Sequence, residues 1–288
     1  MRPRRRLDPL WLMAPTALLL AVFFFWPLVF AARTSLYSWD LLTPPRYVGA
    51  ANYAALWRSG ELTGAFTTTL TFSAIVVVGA SALGLGLALA VNRPGRFAGF
   101  VRASVFSAYV ISWVSVALLF LWVLDAEQGA LTRMLRALGL PTLDWLGNPR
   151  VALYSLAGVT IWKLAGYAMV LFLAGLQDVP RSLLEAAALD GAGPLRRFVH
   201  VTWPLLRPTA AFVVTTTLIA SFQVFDVVRV MTQGGPVRST TVFVYAIYEQ
   251  VFMDLRVGRA SALVVVFFVA LLVLTGLQML VWRKRSAR

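Results

Sequence analysis

The chain contains no cysteine and a single histidine, His200. These absences exclude disulfides, thiolate metal sites and any metal centre that needs two imidazoles, while leaving the compartment open. Nucleotide-binding and nucleophile motifs are missing as well: there is no G-x-x-x-x-G-K-[ST], H-E-x-x-H, G-x-S-x-G or G-x-G-x-x-G. Any ATP that drives this protein has to be bound by another chain. Charge is scarce, at 13% of 288 residues, and acids are scarcer, 12 Asp and Glu against 26 Lys and Arg. A net charge of +14 can mark a nucleic-acid binder. Here the basic residues are spread over several segments with no stripe of interleaved stacking aromatics, which excludes nucleic acid as the partner.

Apolar residues make up 59% of the chain, and they fall in blocks rather than at the period of a half-buried helix or strand. Six blocks reach the roughly 18 residues needed to cross a bilayer core. They cover Leu10 to Ala32, Phe66 to Val91, Ala103 to Leu124, Val151 to Leu176, Thr209 to Val230 and Ala260 to Trp282. Backbone groups in lipid must be satisfied within the segment, so each block is expected to be a helix. The first block is too long for a signal-peptide core and is interrupted by Pro15 and Pro27, so it reads as a retained span. The fold class is therefore all-α, a polytopic membrane protein with six transmembrane helices. A basic segment of residues 1–9 precedes a transmembrane domain of residues 10–283, and a basic tail of residues 284–288 follows it.

Orientation follows from the cations. With the N-terminus inside, the cytoplasmic segments hold Arg2, Arg4, Arg5, Arg6, Arg93, Arg96, Arg102, Arg181, Arg196, Arg197, Arg207, Arg283, Lys284, Arg285 and Arg288, opposed only by Asp8, Asp178, Glu185 and Asp190. The outer segments nearly balance arginine against acid. The positive-inside rule thus puts both termini, and the loop of residues 180–208, in the cytoplasm.

That loop is unusually well specified. Ser182 and Glu185 have the spacing of a capping box, which predicts a helix starting at Ser182 with Glu185 engaged in the cap. Ala186, Ala187, Ala188 and Leu189 continue it, and Gly191 stands where a left-handed residue ends a helix. Leu195, Phe198, Val199 and Thr202 then share one face of a second short helix, which Pro204 is expected to end before Pro208 leads into the fifth span. Ala186 and Ala187 offer the flat surface that close docking needs.

Ionisable groups inside a membrane are costly and mark function by default. Lys163 lies near the middle of the fourth span, one turn from Tyr167. Either it attracts an anionic substrate or it faces backbone carbonyls inside the bundle. Gln223 and Asp226 are predicted to share a helix face beside Phe222 and Phe225, a combination that suits a sugar ring. Asp226 is equally placed to pair with Arg229. In the second span Ala80, Ala82, Gly84, Gly86 and Ala90 form overlapping small-x-x-x-small pairs for close helix packing. Residues 240–252, too short to span, are expected to lie at the outer interface.

The stretch Glu185-Ala186-Ala187-Ala188-Leu189-Asp190-Gly191-Ala192, followed by Phe198, Val201, Pro204 and Leu205, resembles the cytoplasmic signature loop of permease subunits of bacterial binding-protein-dependent ABC importers. Other stretches are similar to the carbohydrate and glycerol 3-phosphate branch of that family: Tyr47-Val48-Gly49-Ala50-Ala51-Asn52-Tyr53, Phe172 to Gln177, Phe222 to Asp226, Thr232 to Pro236 and Gly258 to Ala262. The resemblance covers about residues 10–283. It departs from the family at Thr68-Thr69, where Asn-Thr is usual, at Ala108, where a proline is common, and at Trp203, where leucine precedes the loop proline.

The resemblance implies a transport subunit of the bacterial inner membrane, itself not an enzyme, moving a sugar or a polyol phosphate such as glycerol 3-phosphate. It implies a second permease, two ATP-binding subunits and an extracytoplasmic solute-binding protein as partners. Glu185, Ala186, Ala187, Asp190, Gly191, Phe198 and Pro204 would then couple to an ATPase that holds the ATP and Mg. This chain would hold no cofactor and no metal, and Lys163, Tyr167, Gln223 and Asp226 are candidates for the substrate pathway. An ion-coupled secondary carrier would need buried acid or histidine relays, and Lys163 is the one deeply placed ionisable residue. Because the chain lacks cysteine, topology is directly measurable: a single cysteine at Asp190 should react with an impermeant maleimide in inside-out vesicles and stay unlabelled in right-side-out ones.

Overall fold

A computed structural model describes residues 8–286. Arg2, Arg4, Arg5 and Arg6, and the last two residues of the basic tail, lie outside the described residues. Among the described residues, five helical stretches are long and apolar enough to span a membrane: Met13–Thr34, Glu61–Val91, Ala152–Gln177, Pro194–Met231 and Val257–Leu280. A sixth span is a broken pair, Arg96–Val110 and Trp113–Val123, bent by 101°. The chain divides into two compact units, Met1–Thr63 with Ala246–Ala270, and Gly64–Tyr245 with Leu271–Arg288.

In the first unit α1 (Asp8–Leu20) runs through a wide π-type turn at Ala21–Phe25 into α2 (Trp26–Thr34). Within that turn the Trp26 N–H bonds back to the Ala21 carbonyl, and Pro27, which has no N–H, follows immediately. A wide turn re-registers the ladder, so the proline falls where its missing donor costs little. The short antiparallel pair β1 (Tyr37–Ser38) and β2 (Arg46–Tyr47) is an addition to an otherwise helical fold.

After it, α3 (Ala51–Arg58) brings Asn52 under the turn, where its side-chain amide donates to the carbonyls of Ser35 at 2.8 Å and Tyr37 at 2.9 Å. Gly258, in the first turn of α14 (Val257–Ser286), lies so close to the Tyr37 carbonyl that a Cβ would stand 1.9 Å from it. The Asn52 and Gly258 motifs, two hundred residues apart in sequence, therefore meet on one backbone oxygen. Nearby, Asp40 accepts bonds from the N–H groups of Leu42 and Thr43 and from the Thr43 hydroxyl, and these hold its carboxyl below the usual carboxylate range.

The second unit is built on α8 (Ala152–Gln177), whose Leu156, Ala157, Leu164, Ala168, Met169 and Phe172 are buried. Against it pack α4 (Glu61–Val91), α5 (Arg96–Val110) and α11 (Trp203–Phe222), while α6 (Trp113–Val123) packs on α12 (Asp226–Met231). One small-residue register of the second span is selected. Ala80, Gly84 and Ala88 are buried, whereas Ala82, Gly86 and Ala90 are exposed. A Cβ on Gly84 would lie 2.5 Å from the Ala168 Cβ and 2.9 Å from the Met169 backbone nitrogen.

Thr69 ties α4 to α13 (Phe243–Tyr248): its hydroxyl donates to the Ala65 carbonyl and accepts the Phe243 N–H at 2.8 Å. Phe243 and Tyr245 are fully buried, so α13 is packed into the protein rather than laid on the interface as its charged neighbours implied. Glu249 opens the wide turn Glu249–Met253 and is half-buried, and Asp254, just past it, is exposed.

Replacing Gly84 by leucine should overpack the α4–α8 contact and cost about 1–3 kcal/mol. The same change at Gly86, where a Cβ meets nothing within 4 Å, should be neutral. Thermal unfolding of the two variants in detergent checks the difference.

Candidate functional site

Two regions concentrate the chain's chemistry, the cytoplasmic loop and a pair of breaks in the third and fifth spans. The loop begins as α8 ends. α9 (Arg181–Leu189) is capped two residues earlier than a capping box at Ser182 requires, with Pro180 in extended conformation at the N-cap and its carbonyl accepting the Leu183 N–H. Ser182 therefore sits inside the first turn and makes no capping bond, which overturns the capping box. Val179, just before the cap, and Leu184, on the next turn, line one cavity of about 260 Å3 with Leu89, Leu176 and Phe198, the arrangement of a hydrophobic staple.

One consequence falls on Glu185. Freed of the cap, it is exposed on the surface of α9, and among the described residues its carboxylate has no hydrogen-bond or ion-pair partner.

The other end of α9 behaves as read. Gly191 has φ of +77°, with its N–H bonded to the Ala188 carbonyl and the Ala192 N–H bonded to the Ala187 carbonyl. These two bonds make a complete Schellman stop, which only glycine enters without strain. Asp190 occupies the C-cap, Ala186 is exposed and Ala187 half-buried. Leu189 is 91% exposed and Leu195 77% exposed, so two leucines stand on the outer surface of the loop.

The return limb differs from expectation. α10 (Pro194–Arg197) continues through a wide turn at Phe198–Thr202 into α11, and Pro204 does not end the helix. The Trp203 N–H bonds to the Phe198 carbonyl across the wide turn, shifting the ladder just before the proline, as at Pro27. Phe198 is half-buried, with its ring 6.3 Å from that of Trp203. Leu206, Ala210 and Val213 then pack with Ala168, Met169, Phe172 and Leu176 of α8. From Pro194 to Phe222 the backbone is one continuous helical rod joining the loop to the membrane core.

The membrane breaks involve the other candidates. Lys163 is 1% exposed, and its ammonium donates to the carbonyls of Ala108 and Tyr109, each at 3.1 Å, and to that of Ile111. It also lies 4.8 Å from the centre of the Trp113 ring. Tyr167, one turn along α8, is half-buried and stacks on Tyr109 with ring centres 4.9 Å apart. Sequence reasoning missed Tyr109 and Trp113. The available signal was the lone lysine, which had to find oxygen somewhere.

Gln223 and Asp226 do not share a helix face. α11 ends at Phe222 with Gln223 as C-cap, and α12 begins at Asp226. Ser221, Phe222, Val224, Val227 and Val228 are buried around the break, with α11 packed on α8 and α12 on α6. Gln223 is left exposed and Asp226 half-buried, with Phe225 stacked on Tyr245 at 6.5 Å. Among the described residues no group of His, Cys, Asp and Glu is arranged to hold a metal ion.

Comparison with known proteins agrees with this architecture. Residues 80–286 match the family model described as the inner membrane component of binding-protein-dependent transport systems. The chain is 33% identical to the sulfoquinovosyl glycerol transport system permease SmoG of Agrobacterium fabrum, over 98% of this chain and 92% of the relative. It is 34% identical to the sn-glycerol-3-phosphate transport system permease UgpA of Escherichia coli O157:H7, over 96% and 94%. In fold it matches a chain of a bacterial ABC transporter for the acidic polysaccharide alginate, with a TM-score of 0.83 at 24% identity over 97% of this chain and 96% of the other. A second structure of an alginate transporter, in complex with a pentasaccharide-bound periplasmic protein, gives 0.85 at 23% identity over 99% of both chains. By the family model over residues 80–286 and the two permeases at 33% and 34% identity, the chain belongs to the inner membrane components of binding-protein-dependent ABC importers, as a permease subunit and not an enzyme.

Proposed function

We propose that this permease moves a sugar or a related carbohydrate inward, and that residues 180–208 couple it to a separate ATPase. One observation carries the coupling reading: an exposed helix bearing Glu185, Ala186 and Ala187 is braced at both ends and runs, through a single turn and an unbroken rod, into the membrane core. A force applied to α9 reaches α11 without passing through a flexible link. The exposed Leu189 and Leu195 supply apolar area for a protein partner, and the unpartnered Glu185 carboxylate supplies a charge for a basic residue of that partner.

On this reading Asp190 and Gly191 shape the loop, while Phe198 and Pro204 hold it against the ends of the spans. A second permease completes the transmembrane pair, two ATP-binding subunits take the loops, and an extracytoplasmic binding protein delivers the substrate. ATP and Mg reside in the ATPases. The exposed Gln223, with Asp226 and Tyr167, lines the substrate path, where hydroxyl-bearing ligands find hydrogen-bond partners next to aromatic faces. The polyol phosphate reading is favoured by the likeness to sn-glycerol-3-phosphate permeases at 34% identity. Thermal stabilisation of the cognate binding protein by sugars or by glycerol 3-phosphate separates the two substrates.

Two variants test the coupling. With the partner ATPase and second permease in liposomes, Glu185→Ala should leave α9 folded, since it caps nothing, yet lower the ATP hydrolysis stimulated by loaded binding protein by about tenfold, the effect of roughly 1.4 kcal/mol of lost docking energy. Gly191→Val should strain the left-handed stop by about 1–2 kcal/mol and weaken ATPase association without affecting membrane insertion. Full stimulation in both variants would contradict the coupling role.

A further inference from the structure

The third span turns through 101° with neither of the residues that usually bend helices. The segment Ser107-Ala108-Tyr109-Val110-Ile111-Ser112-Trp113 contains no proline and no glycine, and no wide turn is assigned within it. Helix kinks have identifiable causes, and the cause left is a foreign group inserted into the hydrogen-bond ladder. The structure contains such a group. α5 closes with the Ile111 N–H on the Ser107 carbonyl, Ile111 and Ser112 are extended, and α6 restarts with the Val116 N–H on the Ser112 carbonyl. The carbonyls of residues 108 to 111 fall between these two bonds. Three of the four, on Ala108, Tyr109 and Ile111, accept from the Lys163 ammonium.

An ammonium has three N–H donors and no acceptor, one donor for each of these three carbonyls. Its charge also suits the negative end of α5, and Trp113, the first residue of α6, gives the same cation an aromatic face at 4.8 Å.

We propose that Lys163 is the positioning residue of this elbow: its ammonium replaces the missing helical donors, fixes the bend, and thereby sets Tyr109 and Trp113 on either side of it. Direct contact with substrate is not its role, because its donors are already committed. The elbow needs such a pin because a carbonyl without a partner at membrane depth costs several kcal/mol. Remove the ammonium and the cheaper arrangement is a continuous helix, which every residue from Ala108 to Trp113 can join. Val110, Ile111 and Ser112 are exposed at the elbow's outer edge. Straightening would carry both flanking aromatics away from α8, and with them the Tyr109–Tyr167 stack.

The absence of cysteine makes the bend angle measurable. Phe97 and Trp122 are exposed, at 81% and 57%, on the two arms, and cysteines placed there can carry spin labels in the full-length chain in lipid nanodiscs. At 1.5 Å of rise per residue, their backbones stand about 23 Å apart across the bend and about 37 Å apart in a straight helix. With Lys163 present the pulsed-resonance distance distribution should be narrow and short. Lys163→Met should move it toward the long distance, and Lys163→Gln, with two donors for three carbonyls, should populate both. Lys163→Arg should restore the short one. A generally destabilised protein would broaden the distribution in all three variants, arginine included, and that result would overturn the proposal. So would a short, unchanged distance in Lys163→Gln and in Lys163→Met, which would return the lysine to a direct role toward an anionic substrate.

Discussion

In hydrocarbon every backbone N–H and C=O needs a partner, and the rest of this structure depends on how that requirement is met where the helices stop. Continuous spans such as α4 and α8 meet it internally. The third span stops at Val110 and restarts at Trp113, and a buried lysine takes three of the four carbonyls between. The fifth stops at Phe222 and restarts at Asp226, with apolar side chains buried around the break. Both breaks belong to arms that pack on α8 or on each other. This chain breaks its helical backbone at two points, with neither proline nor glycine at either.

The same economy governs the cytoplasmic side. The loop of residues 180–208 is helical in both limbs, although both limbs carry prolines that interrupt ordinary helices. Pro180 in extended conformation caps the first limb, the Schellman bonds at Gly191 stop it, and the wide turn before Pro204 keeps the second limb continuous with α11. The identical device before Pro27 in the first span shows the solution used twice. That rod packs Leu206, Ala210 and Val213 onto α8, the helix on which the lysine stands.

Much of this was legible in the sequence. Block length located every span, because the need to satisfy a backbone in lipid leaves helices as the outcome, and small-residue spacing pointed to α4. Gly191 was legible because a left-handed position admits few residues. What failed were inferences from local pattern where tertiary contact decides. The Ser182 and Glu185 spacing fits a capping box, but the cap falls on Pro180, two residues earlier, and leaves the glutamate out of it. Gln223 and Asp226 fit one helical face only in an unbroken helix. Lys163 was correctly marked as exceptional, and its two roles were stated, yet carbonyls fifty residues away carry no side-chain signature that could have chosen between them.

The central claim, that this chain is an ATP-driven importer permease acting through its loop, is tested most directly by uptake into liposomes. The chain, its second permease and the ATPase would be reconstituted together, with the binding protein and radiolabelled carbohydrate outside. Uptake should require ATP inside the liposome and loaded binding protein outside, and should be indifferent to proton and sodium gradients. Uptake by this chain alone, driven by an ion gradient without ATP, would contradict it.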